Sequence, residues 1–258
     1  MEAEEATVRG TIEIERRNTL ASLYLRMKAW NGEPPQALRG ASDVARTVMR
    51  NGSFTVMREE PLVAVMDGFI SSMECDAIIQ HVLLCEMKAA MVSGDAAGEV
   101  SYYRTNTVKW VRHVQTPVFF AVGQRVALLL GLSDLSHAEM FQVIHYRPGA
   151  EYQTHYDAYD AASASGQRVM RRGGQRITTA LCYLNTPKAG GATGFSEAGF
   201  DVKAERGRLL VFNNCSGVGV GRDDGALHAG LPVEEGDKWA FNLWFRQYPL
   251  WHNPMDEE

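Results

Sequence analysis

From Ser136 onward the sequence returns to one pattern, short segments of alternating or strongly apolar, β-branched character set between Gly-rich or acidic turns. They are AEMFQVIHYR, EYQTHYD, QRITTALCYL, RLLVFNN, ALHAGLPV and KWAFNLWFRQ. Segments of this kind form strands. A long succession of them favours a double-sheet roll or barrel, because open edges must be paired or closed. The last segment is the most informative. Trp239, Phe241, Leu243 and Phe245 alternate on one face, and Lys238, Ala240, Asn242, Trp244 and Arg246 on the other. The first face suits packing under helices, and the second would line the inside of the roll.

The first half supplies those helices. Ser71-Ser72-Met73-Glu74 reads as a capping box, followed by Cys75, Ile78, Ile79 and Val82 at helical spacing. Thr116-Pro117 opens a second helix with Phe119, Val122, Val126 and Leu129 on one stripe. FTVM and PLVAVMDGFI, between Phe54 and Ile70, read as strands. Helices first and strands afterwards predict an α+β chain. Upstream, residues 11–30 carry Leu20, Leu23 and Met27 at near-helical spacing, and a short helix is expected over Ser42–Arg50. We therefore divide the chain into an N-terminal helical arm and linker (1–53), a main domain (54–250) and a tail (251–258). The arm is expected to pack on the main domain, with a homodimer through it as the secondary reading.

At 258 residues the chain can bury a large core. Its net charge of −5 and pI near 5.8 argue against a general grip on nucleic acid. No apolar run approaches membrane-spanning length, and MEAEEATVRG lacks the layout of a secretory signal. Cys75, Cys85, Cys182 and Cys215 form no Cys-x-x-Cys pair and read as buried free thiols. A cytoplasmic protein is expected.

His155 and Asp157 lie two apart in a strand-like segment, so both side chains project from one face. His-x-Asp is common by chance, and it gains weight only from His228 in ALHAGLPV. Two histidines and one carboxylate occupy one face of a six-coordinate metal and leave the other open. Fe(II) suits this set, although zinc or manganese would accept similar donors. Lys238 favours iron with an organic co-substrate: an inward-facing lysine needs an anion, and a metal-chelating dicarboxylate would present one. The glycines of GVGVGR (217–222) are not framed as a nucleotide loop and read as a flexible connection.

HYRPGAEYQTHYD, GGQRITTALCYL, GGATGF, RGRLLVF, LHAGLPVEEGDKWAFNLWFR and, upstream, LVAVMDGFISSMECDAII together resemble the prolyl 4-hydroxylase branch of the Fe(II)/2-oxoglutarate-dependent dioxygenases, from roughly Pro61 to Tyr248. The resemblance implies a double-stranded β-helix (jelly-roll) core with supporting helices on one side. It implies Fe(II) held by His155, Asp157 and His228, and Lys238 paired with the distal carboxylate of 2-oxoglutarate. Tyr146 and Thr179 match positions that hydrogen-bond the same carboxylate, and Trp244 an aromatic beside the site. The implied reaction consumes O2 and 2-oxoglutarate, with L-ascorbate as an auxiliary reductant, and hydroxylates an unactivated C–H bond, that of a prolyl residue in a peptide or protein.

Residues 158–174 read as a mobile flap over the pocket. Arg168, Arg171 and Arg172 read first as solvated charges, and Arg168, with Arg104 and Arg246, is carried as a candidate substrate contact. The Asn106 neighbourhood and the Phe245-Arg246 ending depart from a typical peptidyl-proline enzyme. The alternatives are therefore the same chemistry on a free amino acid or other small molecule, and a non-catalytic metal-binding roll.

Overall fold

The computed structural model describes residues 41–50, 53–90, 104–217 and 221–250. The expected helix over 11–30, the dimer reading of the arm, the tail at 251–258 and the centre of the 217–222 connection lie outside them. Every described element belongs to one unit, Gln36–Glu258.

In chain order the elements are α1 (Ala41–Arg50), β1 (Thr55–Glu59), β2 (Leu62–Met66), α2 (Ser72–Leu83), β3 (Lys88–Ala89), β4 (Thr107–Val111) and α3 (Pro117–Leu129). There follow β5 (Phe141–Tyr146), β6 (Tyr152–His155), α4 (Ala164–Met170), β7 (Arg176–Tyr183), β8 (Ala189–Gly190), β9 (Thr193–Phe195) and β10 (Phe200–Val202). The series closes with β11 (Leu209–Asn213), β12 (His228–Gly230), β13 (Val233–Glu235) and β14 (Lys238–Arg246). An eight-stranded sheet runs β1-β2-β11-β7-β14-β5-β4-β3, a four-stranded sheet β10-β9-β12-β6, and β13 pairs with β8. The pairings are antiparallel, as the β-helix expectation requires.

The strand at the centre of the large sheet divides its side chains as its alternation predicts. Trp239, Phe241, Leu243 and Phe245 join Val44, Val48, Ile78, Phe119 and Val126 in the core between sheet and helices. Ala240 faces the other way, into a second core with Tyr146, Tyr183, Phe195 and Phe212 inside the roll. Each large apolar side chain removed from water contributes about 1.5–3 kcal/mol. Val44 and Val48 are fully buried in the first of these cores, so α1, placed in the arm by its sequence position, packs as part of the main body.

The capping box at α2 is present, Glu74 N donating to Ser71 Oγ and Ser71 N to Glu74 Oε2. At α3 the Thr116 hydroxyl makes no capping bond, and Pro117, with its preset φ and no N–H to satisfy, opens the helix. The apolar run after Pro61 stays a strand only to Met66. Gly68 at φ +63° then turns the chain toward α2. Among the described residues no helix is long and apolar enough to cross a membrane.

Candidate metal centre

Adjacent antiparallel strands bring the two histidines together. β12 pairs with β6 so that His228 lies directly opposite His155. Opposed residues in such a pair stand about 5 Å apart at Cβ, and the two imidazole centroids are 4.3 Å apart. Asp157, two residues after His155, turns its carboxylate between them. Its Oδ1 lies 3.8 Å from His155 Nε2 and its Oδ2 3.7 Å from His228 Nε2. All three donor atoms fall within 4.8 Å of one another.

The hydrogen bonds of the rings set which nitrogen is free. His155 Nδ1 is 2.7 Å from the Gln153 carbonyl, and His228 Nδ1 is 2.9 Å from that of Ala226. A carbonyl only accepts, so both Nδ1 atoms carry the proton. Both Nε2 lone pairs are then left pointing at the centre, the tautomer a metal-binding histidine needs. Burial, followed by the neighbouring His228, drives the pKa of His155 down to about 3, so the ring is a neutral donor. For Asp157, burial alone would raise the pKa. The neighbouring His228 and His155 rings, the Arg176 guanidinium and a bond from Thr179 outweigh it and bring the pKa to about 2. Two imidazoles with Nε2 turned inward and an ionised carboxylate form a donor set that fits Fe(II).

Thr179 is where the structure differs from the family-based expectation. Its Oγ1 donates to Asp157 Oδ2 at 2.7 Å and accepts from Asn214 Nδ2 at 3.0 Å. It lies opposite Trp244 in the sheet and orients a metal ligand. Asn214 was not anticipated, because only the pairing of β11 with β7 brings it to Thr179.

Lys238 is 1% exposed, on the inner face of β14 opposite Tyr146. Its ammonium stands 4.9 Å from the Tyr146 ring centroid and 5.5 Å from that of Tyr183. No carboxylate among the described residues pairs with it, and burial alone pushes its pKa down to about 7. Burial likewise raises Tyr146 to about 12, so its hydroxyl stays protonated. That hydroxyl is close enough to β12 that a Cβ on Gly230 would come within 3.1 Å of it, which links the lysine pocket to the strand bearing His228. Gly191, at φ +72°, leaves room for the Lys238 stem, its ideal Cβ being 3.3 Å from Cδ. The pocket is a buried cation flanked by phenol rings, the surroundings an anionic group would complete.

At the other end of β14, Trp244 is 3% exposed, its ring 3.8 Å from the Arg176 guanidinium and 5.8 Å from the half-exposed Trp110. Arg176 and Trp110 were not anticipated, and only the tertiary pairing of β7, β14 and β4 brings them to Trp244. Arg104 is buried over the Tyr152 ring and donates to Asn106 Oδ1 and Gln142 Oε1. Arg168 is exposed on α4, a helix inside the stretch expected as an irregular flap. Arg246 is not a free substrate contact. Its guanidinium donates to the carbonyls of Val169, Arg172 and Gly174 and to Glu139, because the side chain is long enough to run past the pocket to the end of α4.

Residues 141–246 match the family model described as 2OG-Fe(II) oxygenase superfamily, a span holding all three donors and Lys238. The chain is 34% identical over 208 residues to prolyl 4-hydroxylase subunit alpha-3 of Rattus norvegicus, covering 78% of this chain and 38% of that protein. It is 33% identical over 194 residues to the Homo sapiens subunit, covering 75% and 35%. The chain thus spans little more than a third of the curated relatives it matches. Among solved structures, a viral collagen prolyl hydroxylase from Paramecium bursaria Chlorella virus-1, as a 2OG complex, superposes with TM-score 0.57 at 27% identity, over 71% of this chain and 95% of that one. A Trichoplax adhaerens prolyl hydroxylase shares the fold, with TM-score 0.52 at 16% identity over 80% of this chain and 89% of that one. The chain carries a domain of the 2OG-Fe(II) oxygenase superfamily and is a homologue of the prolyl 4-hydroxylase alpha subunits over about three quarters of its length.

Proposed function

We propose that the protein is an Fe(II)- and 2-oxoglutarate-dependent dioxygenase that hydroxylates prolyl residues of a peptide or protein. The observation that carries this reading is the pairing, inside one roll, of a convergent His155-Asp157-His228 donor set with a buried lysine that has no carboxylate partner among the described residues. The relatives named prolyl 4-hydroxylase and collagen prolyl hydroxylase support the substrate class.

When bound, Fe(II) supplies the oxygen-activating chemistry that couples decarboxylation of 2-oxoglutarate to succinate with transfer of one oxygen atom to a C–H bond. The chain does the rest. His155, Asp157 and His228 would hold the metal. Thr179 and Asn214 hold the Asp157 carboxylate in place. Lys238 receives the far carboxylate of 2-oxoglutarate, with Tyr146 beside it, so that the co-substrate enters in one orientation. Trp244, Trp110 and Arg176 form the mouth that takes the peptide, and the apolar wall around Phe195 and Phe212 keeps water from the donors. Cys75, Cys85, Cys182 and Cys215 are free thiols, which supports a reducing, cytoplasmic setting.

The test is incubation with Fe(II), ascorbate and 2-oxoglutarate in the presence of a Pro-rich peptide or of free proline. Succinate release and a gain of one oxygen on the peptide are expected. Turnover with free proline alone would move the assignment to small molecules, and no turnover with any substrate would remove it.

A further inference from the structure

The stretch between the ligand pair and β7 is tied down at both ends. At its neck the Gln175 side chain pairs with the Tyr159 backbone in both directions, accepting from N at 2.7 Å and donating to O at 2.9 Å. At its exit Gly173 and Gly174 adopt φ of +77° and +69°, and a Cβ on Gly174 would lie 2.7 Å from Gln247 Oε1. Between these ties α4 ends at Met170, where a helix leaves carbonyls without intrahelical partners. Arg246 supplies one partner within the helix and two in the segment after it: Nη2 donates to Val169 O at 3.1 Å and Arg172 O at 2.7 Å, and Nε to Gly174 O at 3.0 Å.

The same guanidinium reaches the mouth of the metal site by one intermediary. Arg246 Nη1 donates to Glu139 Oε1 at 3.1 Å, while Arg176 grips both oxygens of that carboxylate at 2.7 and 2.8 Å. The Tyr159 ring lies 4.8 Å from one guanidinium and 5.0 Å from the other. The side chains of Arg246, Glu139 and Arg176 are only 5%, 13% and 15% exposed, so the network is held in a low dielectric and has little freedom to rearrange.

We propose that Arg246 is a positioning residue for substrate capture: it fixes the end of the flap helix and, through Glu139, the pose of Arg176 against Trp244. The inference rests on the proposed function for its kinetic consequence and on geometry alone for the anchoring. Arg246 and Lys238 stand at opposite ends of β14, eight residues or roughly 26 Å apart. Disturbing the arginine therefore changes the affinity for peptide and leaves that for 2-oxoglutarate as it was.

The experiment compares Arg246→Gln, Arg246→Lys and Glu139→Gln with the wild type. It reads KM for a Pro-rich peptide, KM for 2-oxoglutarate, and the rate of tryptic cleavage after Arg168 and Arg171. Arg246→Gln is expected to raise the peptide KM about tenfold or more, at constant 2-oxoglutarate KM, and to speed cleavage. Arg246→Lys, which keeps the charge but loses the planar fork, falls between, and carries the test if the glutamine variant does not fold. Glu139→Gln raises the peptide KM and leaves the cleavage rate near wild type, because Arg246 keeps its three carbonyls. An unchanged peptide KM and cleavage rate in the Arg246 variants overturns the proposal, as does an equal rise in both KM values. If the wild type itself turns over no peptide, the functional reading fails, while the cleavage rates still decide whether Arg246 anchors the flap.

Discussion

Lys238 is the side chain whose burial is hardest to account for without a ligand. In the unfolded chain its amine keeps a proton to about pH 10, whereas the folded, ligand-free protein releases it at about 7. The unfolded state binds more protons across that window, so the stability of the ligand-free protein rises with pH from about 7 toward 10. A carboxylate beside the ammonium reverses the shift. Binding of 2-oxoglutarate to the metal-loaded protein at pH 8 is thus expected to take up close to one proton and to weaken as pH increases. Calorimetry in two buffers of different ionisation enthalpy measures this, and binding without proton uptake would contradict it. Lys238→Met should melt no lower than wild type at pH 6, since it removes an unpaired buried charge, yet lose at least tenfold in 2-oxoglutarate affinity. Thr179→Val should weaken Fe(II) binding by about 10–100-fold, read by metal titration, because Asp157 loses its orienting donor. At this scale the sequence was legible where a short-range rule applied. Two-residue spacing put His155 and Asp157 together, and strand alternation put Lys238 inside. The partners of Thr179, whose role came from the family resemblance, and of Arg246 were not legible, because no short-range rule says what a residue 22 or 72 positions away offers a side chain.

Among the elements, the longer strands and the helices were readable because their apolar residues run over enough positions to show a pattern. In β14, Trp239, Phe241, Leu243 and Phe245 join the helix-side core, and Ala240 between them joins the roll interior. Three of the short strands were not readable. β8, β9 and β10 have two or three residues each, too few for a period-two signal, and are held by pairing with distant partners. Their glycines carry the information instead. Gly190 sits at φ +72° with its ideal Cβ 2.4 Å from Pro232 O, so Gly190→Ala should lower the melting temperature markedly through strain and a backbone clash. Ser71→Ala removes the α2 cap far from the site and should cost about 1 kcal/mol in denaturant unfolding with Fe(II) affinity unchanged.

For the whole molecule, the arrangement follows from one sheet with two committed faces. The large sheet gives one face to α1, α2 and α3 and the other to the interior of the roll, so the small sheet carrying His155 and His228 stands over Lys238, Tyr146 and Thr179. The three convergent donors, the buried lysine and the Trp244–Trp110 pair then fall along the length of β14 and its neighbours. The claim underlying this account is that the three donors and the lysine act together on one iron and one 2-oxoglutarate. It is tested most directly by mass spectrometry of a Pro-rich peptide after aerobic incubation with the Fe(II)-loaded protein and 2-oxoglutarate, with succinate quantified in the same sample. The account predicts one added oxygen per succinate in the wild type and neither product in His228→Ala. An unmodified peptide with 2-oxoglutarate intact in the wild type, or equal turnover in His228→Ala, would contradict it.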